Sequence, residues 1–172
     1  MAGDRYRHQV TGRMNNARGK LLEQLIENSC RLYEEEGRAL IEKTPEPVKQ
    51  LGAMDKQGRF LACYEKRAQP DYKGVLLGGK CIVIEAKHTN GMCIQMSRVT
   101  PHQLDKLLEY ENLGTEAYII VEFGDGSVRR FSAFTWAGEQ GAGKKYADAR
   151  PEGFGYSIRE EYGIIKVLEG IV

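Results

Sequence analysis

Residues 71–87, DYKGVLLGGKCIVIEAK, constrain the fold more than any other stretch. Two strand-like runs flank Gly78-Gly79, a pair suited to a tight hairpin turn. Side chains alternate along the second run, so Cys81, Val83, Glu85 and Lys87 share one face while Ile82, Ile84 and Ala86 share the other. CIVIEAK is too apolar for an exposed edge, so charges at its end need a reason to be there. A hairpin of this length brings Asp71, just ahead of the first strand, beside Glu85. Two carboxylates converging at about 4–6 Å are hard to keep ionised without a cation. Hard oxygen ligands of this kind suit Mg²⁺ or Mn²⁺, held by few carboxylates and mostly water. Lys87 beside them can orient a water or stabilise charge on a phosphoryl oxygen. Together these parts point to phosphodiester hydrolysis. The acid-x-Lys triplet alone carries little weight, since a chain of this composition yields about two by chance. The apolar strand and the preceding Pro70-Asp71 supply the rest.

The surrounding pattern is that of one α/β domain around a mixed sheet. Residues 1–17 are polar and basic with no apolar period and read as a flexible arm. From Arg18 onward Leu21, Leu22, Leu25, Ile26, Ser29, Leu32 and Tyr33 fall on one helical face, with Gly37 as the stop. Glu23 lies at the margin of that stripe, where a carboxylate can face a cleft beside the core. RALIE (38–42) reads as a short strand. Pro45 and Pro47 then forbid a helix or central strand, and two extended pieces, 48–54 and 60–66, turn at 55–58. Thr100-Pro101-His102-Gln103 is a capping box with proline at the first helical position. Leu104, Leu107 and Leu108 give that helix its buried face. AYIIVEF and VRRFSAFTW flank a second hairpin turn at 124–127, and the glycine-rich tail is hard to place. Other candidates read more blandly. Gly138-x-x-x-x-Gly143-Lys144 imitates a phosphate loop, but position 145 is Lys and no helix pattern follows, so no nucleotide cofactor is expected. His88 could touch phosphate but reads better as a polar loop histidine. Arg129-Arg130 and Trp136 read as a DNA-contact or packing patch, though on a strand the two arginines face opposite ways, so at most one would serve one surface.

Charge narrows the partners. Lys plus Arg total 25 and Asp plus Glu 24, a net charge of +1, which excludes a histone-like protein bound by bulk charge alone. The cations are unevenly placed, however: Arg5, Arg7, Arg13, Arg18 and Lys20 open the chain against Asp4 alone. No apolar run approaches the roughly 20 residues of a membrane span, and MAGDRYRHQV lacks the apolar core of a signal peptide. The four cysteines contain no C-x-x-C and read as reduced thiols, so the expectation is a cytoplasmic protein.

The order of these motifs resembles the PD-(D/E)XK nucleases, and within them the RecU-type Holliday-junction resolvases. The resemblance runs from about Arg18 to Phe123. It rests on Arg18-Gly19, Glu23 with Asn28 and Tyr33, Lys43-Thr44-Pro45, Asp71-Tyr72-x-Gly74-Val75, Glu85-Ala86-Lys87 with Thr89, and His102-Gln103. It departs from the usual pattern at Gln69-Pro70 and in the loop after Lys87. The resemblance implies a restriction-endonuclease-like mixed β-sheet flanked by helices, in a nuclease domain spanning 18–172. Asp71 and Glu85 would bind Mg²⁺, Glu23 would support them, Lys87 would assist the attacking water and Gln103 would shape the site. It also implies a homodimer, with the insert at about 45–64 as a stalk entering a four-way junction. Lys49, Lys56 and Arg59 on that insert, with the cations of the arm, are then the DNA-binding set. The rival readings are a nuclease of the same superfamily acting on ordinary duplex, and a non-cleaving branched-DNA-binding protein.

Overall fold

The fold is seen in a computed structural model that describes residues 2–45, 48–64, 69–150 and 153–171, with the side chains of 2–18 and 64 outside the description. The chain runs α1 (Ala2–Glu35), β1 (Ala39–Lys43), β2 (Val48–Leu51), β3 (Leu61–Tyr64), β4 (Tyr72–Leu76) and β5 (Cys81–His88). It continues through β6 (Cys93–Gln95), α2 (Pro101–Asn112), β7 (Glu116–Glu122), β8 (Val128–Ser132) and α3 (Ala133–Gly141). Four short strands close it: β9 (Tyr146–Asp148), β10 (Tyr156–Ile158), β11 (Glu160–Glu161) and β12 (Ile164–Ile165). Six strands form the central sheet in the order β1-β4-β5-β7-β8-β10. β5 and β7 are parallel, linked through α2, and the other neighbours are antiparallel. The expected mixed sheet flanked by helices is what forms.

The alternation read in β5 divides the core in two. Ile82 and Ile84 join Leu22, Ile26, Cys30 and Tyr33 of α1 on one face. Val83 packs on the other with Leu104 and Leu107 of α2 and Trp136 of α3. Burying each such aliphatic side chain contributes about 1.5–3 kcal/mol, which fixes the register of β5 and thereby which way Glu85 points. β1 crosses β4 closely at Gly74, where a Cβ would collide with the Leu40 carbonyl oxygen and the Ile41 backbone. The Pro70-Asp71 end of β4 is held in place by that contact and by Thr44 N–H donating to the Asp71 carbonyl at 2.8 Å.

Several expectations change. α1 begins at Ala2, so the segment at 1–17 is not set apart as an irregular arm in its described part. Residues 2–17 lack an apolar stripe, but they hold no proline, and helix propagates readily through Arg, Gln, Met and Ala. Leu21 is 52% exposed because the helix meets the core through Leu22, Leu25, Ile26, Ser29, Cys30 and Tyr33, a face that excludes it. The strand read as continuing to Trp136 ends at Ser132, whose hydroxyl caps α3 by accepting from Thr135 N–H.

Of the two readings of Arg129 and Arg130, DNA contact or packing, packing is the one seen: they are 1% and 6% exposed and face opposite ways. Arg129 donates to the carbonyls of Ala149, Arg150, Gly153 and Gly155 on one face of the sheet. Arg130 donates to the Val167 carbonyl at 2.6 Å on the other, its guanidinium lying over the rings of Tyr118 and Tyr156. The tail also docks on α1, where the Ser29 hydroxyl donates to the Ile165 carbonyl at 2.6 Å.

The insert forms its own two-stranded sheet of β2 and β3, and every described residue from 48 to 63 is exposed. Lys49, Lys56 and Arg59 lie on it. Arg59 is tied to Asp55 at 2.9 Å across the turn.

Candidate active site

Asp71, Glu85, Lys87 and Gln103 come together where β4 begins, β5 ends and α2 starts. Register does the first part of this: Tyr72 stands opposite Ile84, so Asp71 meets the end of β5. Asp71 Oδ2 accepts from Ala86 N–H at 2.8 Å. Glu85 is 1% exposed. Its Oε1 accepts from Lys87 Nζ at 2.6 Å and from the Gln103 side-chain amide. Gln103 is aimed by the Thr100 capping box, in which its own carbonyl oxygen accepts from Thr100 N–H at 3.1 Å. The expected capping box therefore also positions a site residue.

The two carboxylates are electrostatically strained. Burial pushes Glu85 up to about 7, and the Asp71 charge adds to the rise, against the pull of Lys87 and Gln103. Asp71 is also raised, by burial first, with Ala86 N–H and Lys87 opposing. Each acid has one oxygen tied to the protein. Nothing among the described residues donates to Asp71 Oδ1 or Glu85 Oε2. Two half-free acids raised chiefly by burial suit one hard divalent cation whose remaining positions are filled by water. Among the described residues no group of three His, Cys, Asp or Glu side chains forms a ready metal cage.

Through Lys87 the cluster adjoins a cleft of about 690 Å³ lined also by Gly19, Lys20, Glu23, His88 and Arg98, among others. Glu23 faces this cleft, as its margin position predicts, but its carboxylate is engaged by Lys43 at 2.7 Å. Sequence reading missed Arg98, which reaches the cleft from the 3-10 turn Met96–Arg98 after β6 and donates to the His88 carbonyl at 3.4 Å. It misplaced His88, which ends β5 and is 9% exposed rather than lying in an open loop. Its ring bridges Glu122 at 2.9 Å and Asn90 at 3.0 Å. The parallel β5–β7 register that sets His88 opposite Glu122 is the signal that local patterning lacked. The arm cations Arg5, Arg7, Arg13 and Arg18 have side chains outside the described residues.

A sheet carrying Asp, then Glu-x-Lys, at the mouth of a cationic cleft has the layout of the PD-(D/E)XK class that the motif order resembles. The RecU family, described as recombination protein U, matches residues 17–132. The chain belongs to that family. It is 33% identical over 114 residues to the Holliday junction resolvase RecU of Shouchella clausii, covering 63% of this chain and 54% of that protein. It is 31% identical over 112 residues to the Holliday junction resolvase RecU of Pediococcus pentosaceus, covering 62% and 55%. The chain spans about half the length of these curated relatives. A solved structure of Archaeoglobus fulgidus Hjc, a Holliday junction resolvase, aligns with 74% of this chain and 83% of that one at 14% identity. Its TM-score is 0.38, a likeness that adds nothing to the assignment. No described helix is long and apolar enough to cross a membrane.

Proposed function

We propose that this protein is a Mg²⁺-dependent endodeoxyribonuclease that cuts four-way DNA junctions as a homodimer, in recombination or phage DNA processing in the cytoplasm. The observation that carries the reading is the convergence of Asp71, Glu85 and Lys87 beside a cleft that also holds Lys20 and Arg98. Membership of the RecU family supports the choice of a junction over ordinary duplex.

Asp71 Oδ1 and Glu85 Oε2 are the oxygens that would hold the cation. A cation bound there supplies a nucleophilic water at neutral pH and offsets charge on the scissile phosphate. Lys87, on the same strand face as Glu85, holds its ammonium beside the reacting water and stabilises charge on a phosphoryl oxygen. Gln103 locks the Glu85 carboxylate in one orientation, so its second oxygen stays aimed at the site. Glu23 sits at the cleft wall and holds Lys43 there. Arg98 and Lys20 meet the phosphates flanking the cut. A junction has approximate two-fold symmetry, so paired cuts call for two sites related by a dyad.

The test is nicking of a mobile four-way junction against a linear duplex of the same sequence, with and without Mg²⁺. Metal-dependent paired nicks on the junction alone support the reading. Equal cutting of both substrates selects a general duplex nuclease, and tight junction binding with no cutting at any metal concentration selects a non-cleaving branched-DNA binder.

A further inference from the structure

The segment read as an imitation phosphate loop, residues 138–145, forms the end of α3 and the connection to β9, and it packs beside the chain segment that carries Arg98. β9 pairs with β6, and Met96 N–H donates to the Lys145 carbonyl at 2.9 Å. The main chain at Lys145 is thereby fixed beside Met96, two residues before Arg98, which lines the cleft. Lys144 and Lys145 border a second groove of about 470 Å³, walled by Gln95, Ser97, Gln140 and Tyr146 as well. Consecutive exposed residues, Ser97 and Arg98, face the groove and the cleft respectively, so a single ridge separates the two.

The charged residues lining this groove are both cations, with one carboxylate, Glu139, behind Lys144. The lining holds two lysines and no carboxylate, whereas the groove at Lys73 and Lys106 contains Asp105 and Glu109. Lys144 is braced, paired with Glu139 at 2.7 Å and stacked over the Phe154 ring at 4.5 Å. Lys145 is exposed, with no ion-pair partner among the described residues. Around them stand amide, hydroxyl and phenol groups, the neutral donors that supplement lysine in holding phosphate oxygens.

We propose that the Lys144–Lys145 groove is a second phosphate-binding site, holding the backbone of a duplex arm after it leaves the cleft over the Ser97–Arg98 ridge. This rests on the DNA-cutting reading and adds to it a track that fixes arm direction. Lysines serve here as point charges without base readout, so the contact is sequence-independent.

The experiment uses the full chain and four-way junctions with long arms, or with arms trimmed to a few base pairs. Binding is followed by titration from low to physiological salt. Lys144→Gln with Lys145→Gln should make the log K against log salt slope shallower by roughly 1.8 on long arms, at about 0.9 per phosphate. Lys145→Gln alone removes no internal ion pair and should give about half that change, so a loosened tail cannot account for it. Trimming the arms should cost the wild type affinity and leave the double variant unaffected. An unchanged slope in both variants, with wild-type binding and nicking intact, overturns the second site. Failure of the wild type to bind or nick any junction overturns instead the reading on which it rests.

Discussion

Replacing Glu85 by glutamine should stabilise the metal-free protein while removing its function. Glutamine keeps the shape of the protonated acid and avoids a buried charge beside Asp71. The Glu85 carboxyl titrates at about 7 in the fold, against an ordinary value of 4.5, and a rise of that size corresponds to about 3 kcal/mol. The sign follows from proton counting. Between pH 4.5 and 7 the folded state holds a proton that the unfolded chain has released, so stability falls as pH rises through that window. Below it the acid is neutral in both states, and above it the full penalty is present. Asp71 is raised in the same direction and steepens the fall. Urea unfolding in chelator should therefore give nearly equal stabilities for wild type and Glu85→Gln at pH 4. At pH 8 the variant should lead by about 3 kcal/mol. Millimolar Mg²⁺ at pH 8 should then stabilise the wild type and not the variant, because binding to the folded state alone adds stability by mass action. A difference that stays flat with pH, or a variant less stable at pH 8, would refute the claim that burial and Asp71 strain this carboxylate.

Further outcomes can be measured directly. Asp71→Asn should abolish Mg²⁺-dependent nicking while junction affinity in a gel-shift titration stays within a few-fold. Lys87→Ala should lower the single-turnover nicking rate by roughly 10²-fold or more, and a change confined to apparent affinity would move Lys87 from chemistry to binding. Deleting residues 2–16 removes Arg5, Arg7 and Arg13, and should make the salt slope of DNA binding shallower by roughly 2.7 if all three meet phosphates. Replacing 52–59 by a short Gly-Ser linker should leave unfolding unchanged and weaken junction binding at least ten-fold, about 1.4 kcal/mol, with duplex binding barely altered. Equal losses on both substrates would make the β2–β3 hairpin a general phosphate contact.

The parts of the site that could be read from sequence are those set by local geometry. Strand alternation put Glu85 and Lys87 on one face, Gly78-Gly79 paired them with the Asp71 strand, and the Thr100 cap delivered Gln103. What escaped depends on contacts between distant segments. His88 finds Glu122 through a parallel register spanning a whole crossover helix. Arg98 lines the cleft at the end of a short 3-10 turn after β6, where it reaches the His88 carbonyl ten residues back. Arg129 and Arg130 look like surface cations in any window, because the carbonyls that satisfy them arrive from the tail. The helical course of residues 2–17 was hidden for the opposite reason, since an amphipathic stripe reports burial and not helicity itself.

The clasp made by Arg129 and Arg130 has a consequence for how freely the tail's sequence can drift. Both guanidinium groups grip main-chain oxygens, which every amino acid presents, so most side chains between 149 and 167 are not consulted by the grip. Fixed demands fall instead at Gly155, where any Cβ would strike the Phe131 ring, and at Ile158, Ile165 and Val167, which are buried in the core. The match to the RecU family stops at residue 132, two residues beyond the second arginine. A segment anchored through its backbone can thus keep its course around the sheet while its letters change, with the memory of that course stored in β8.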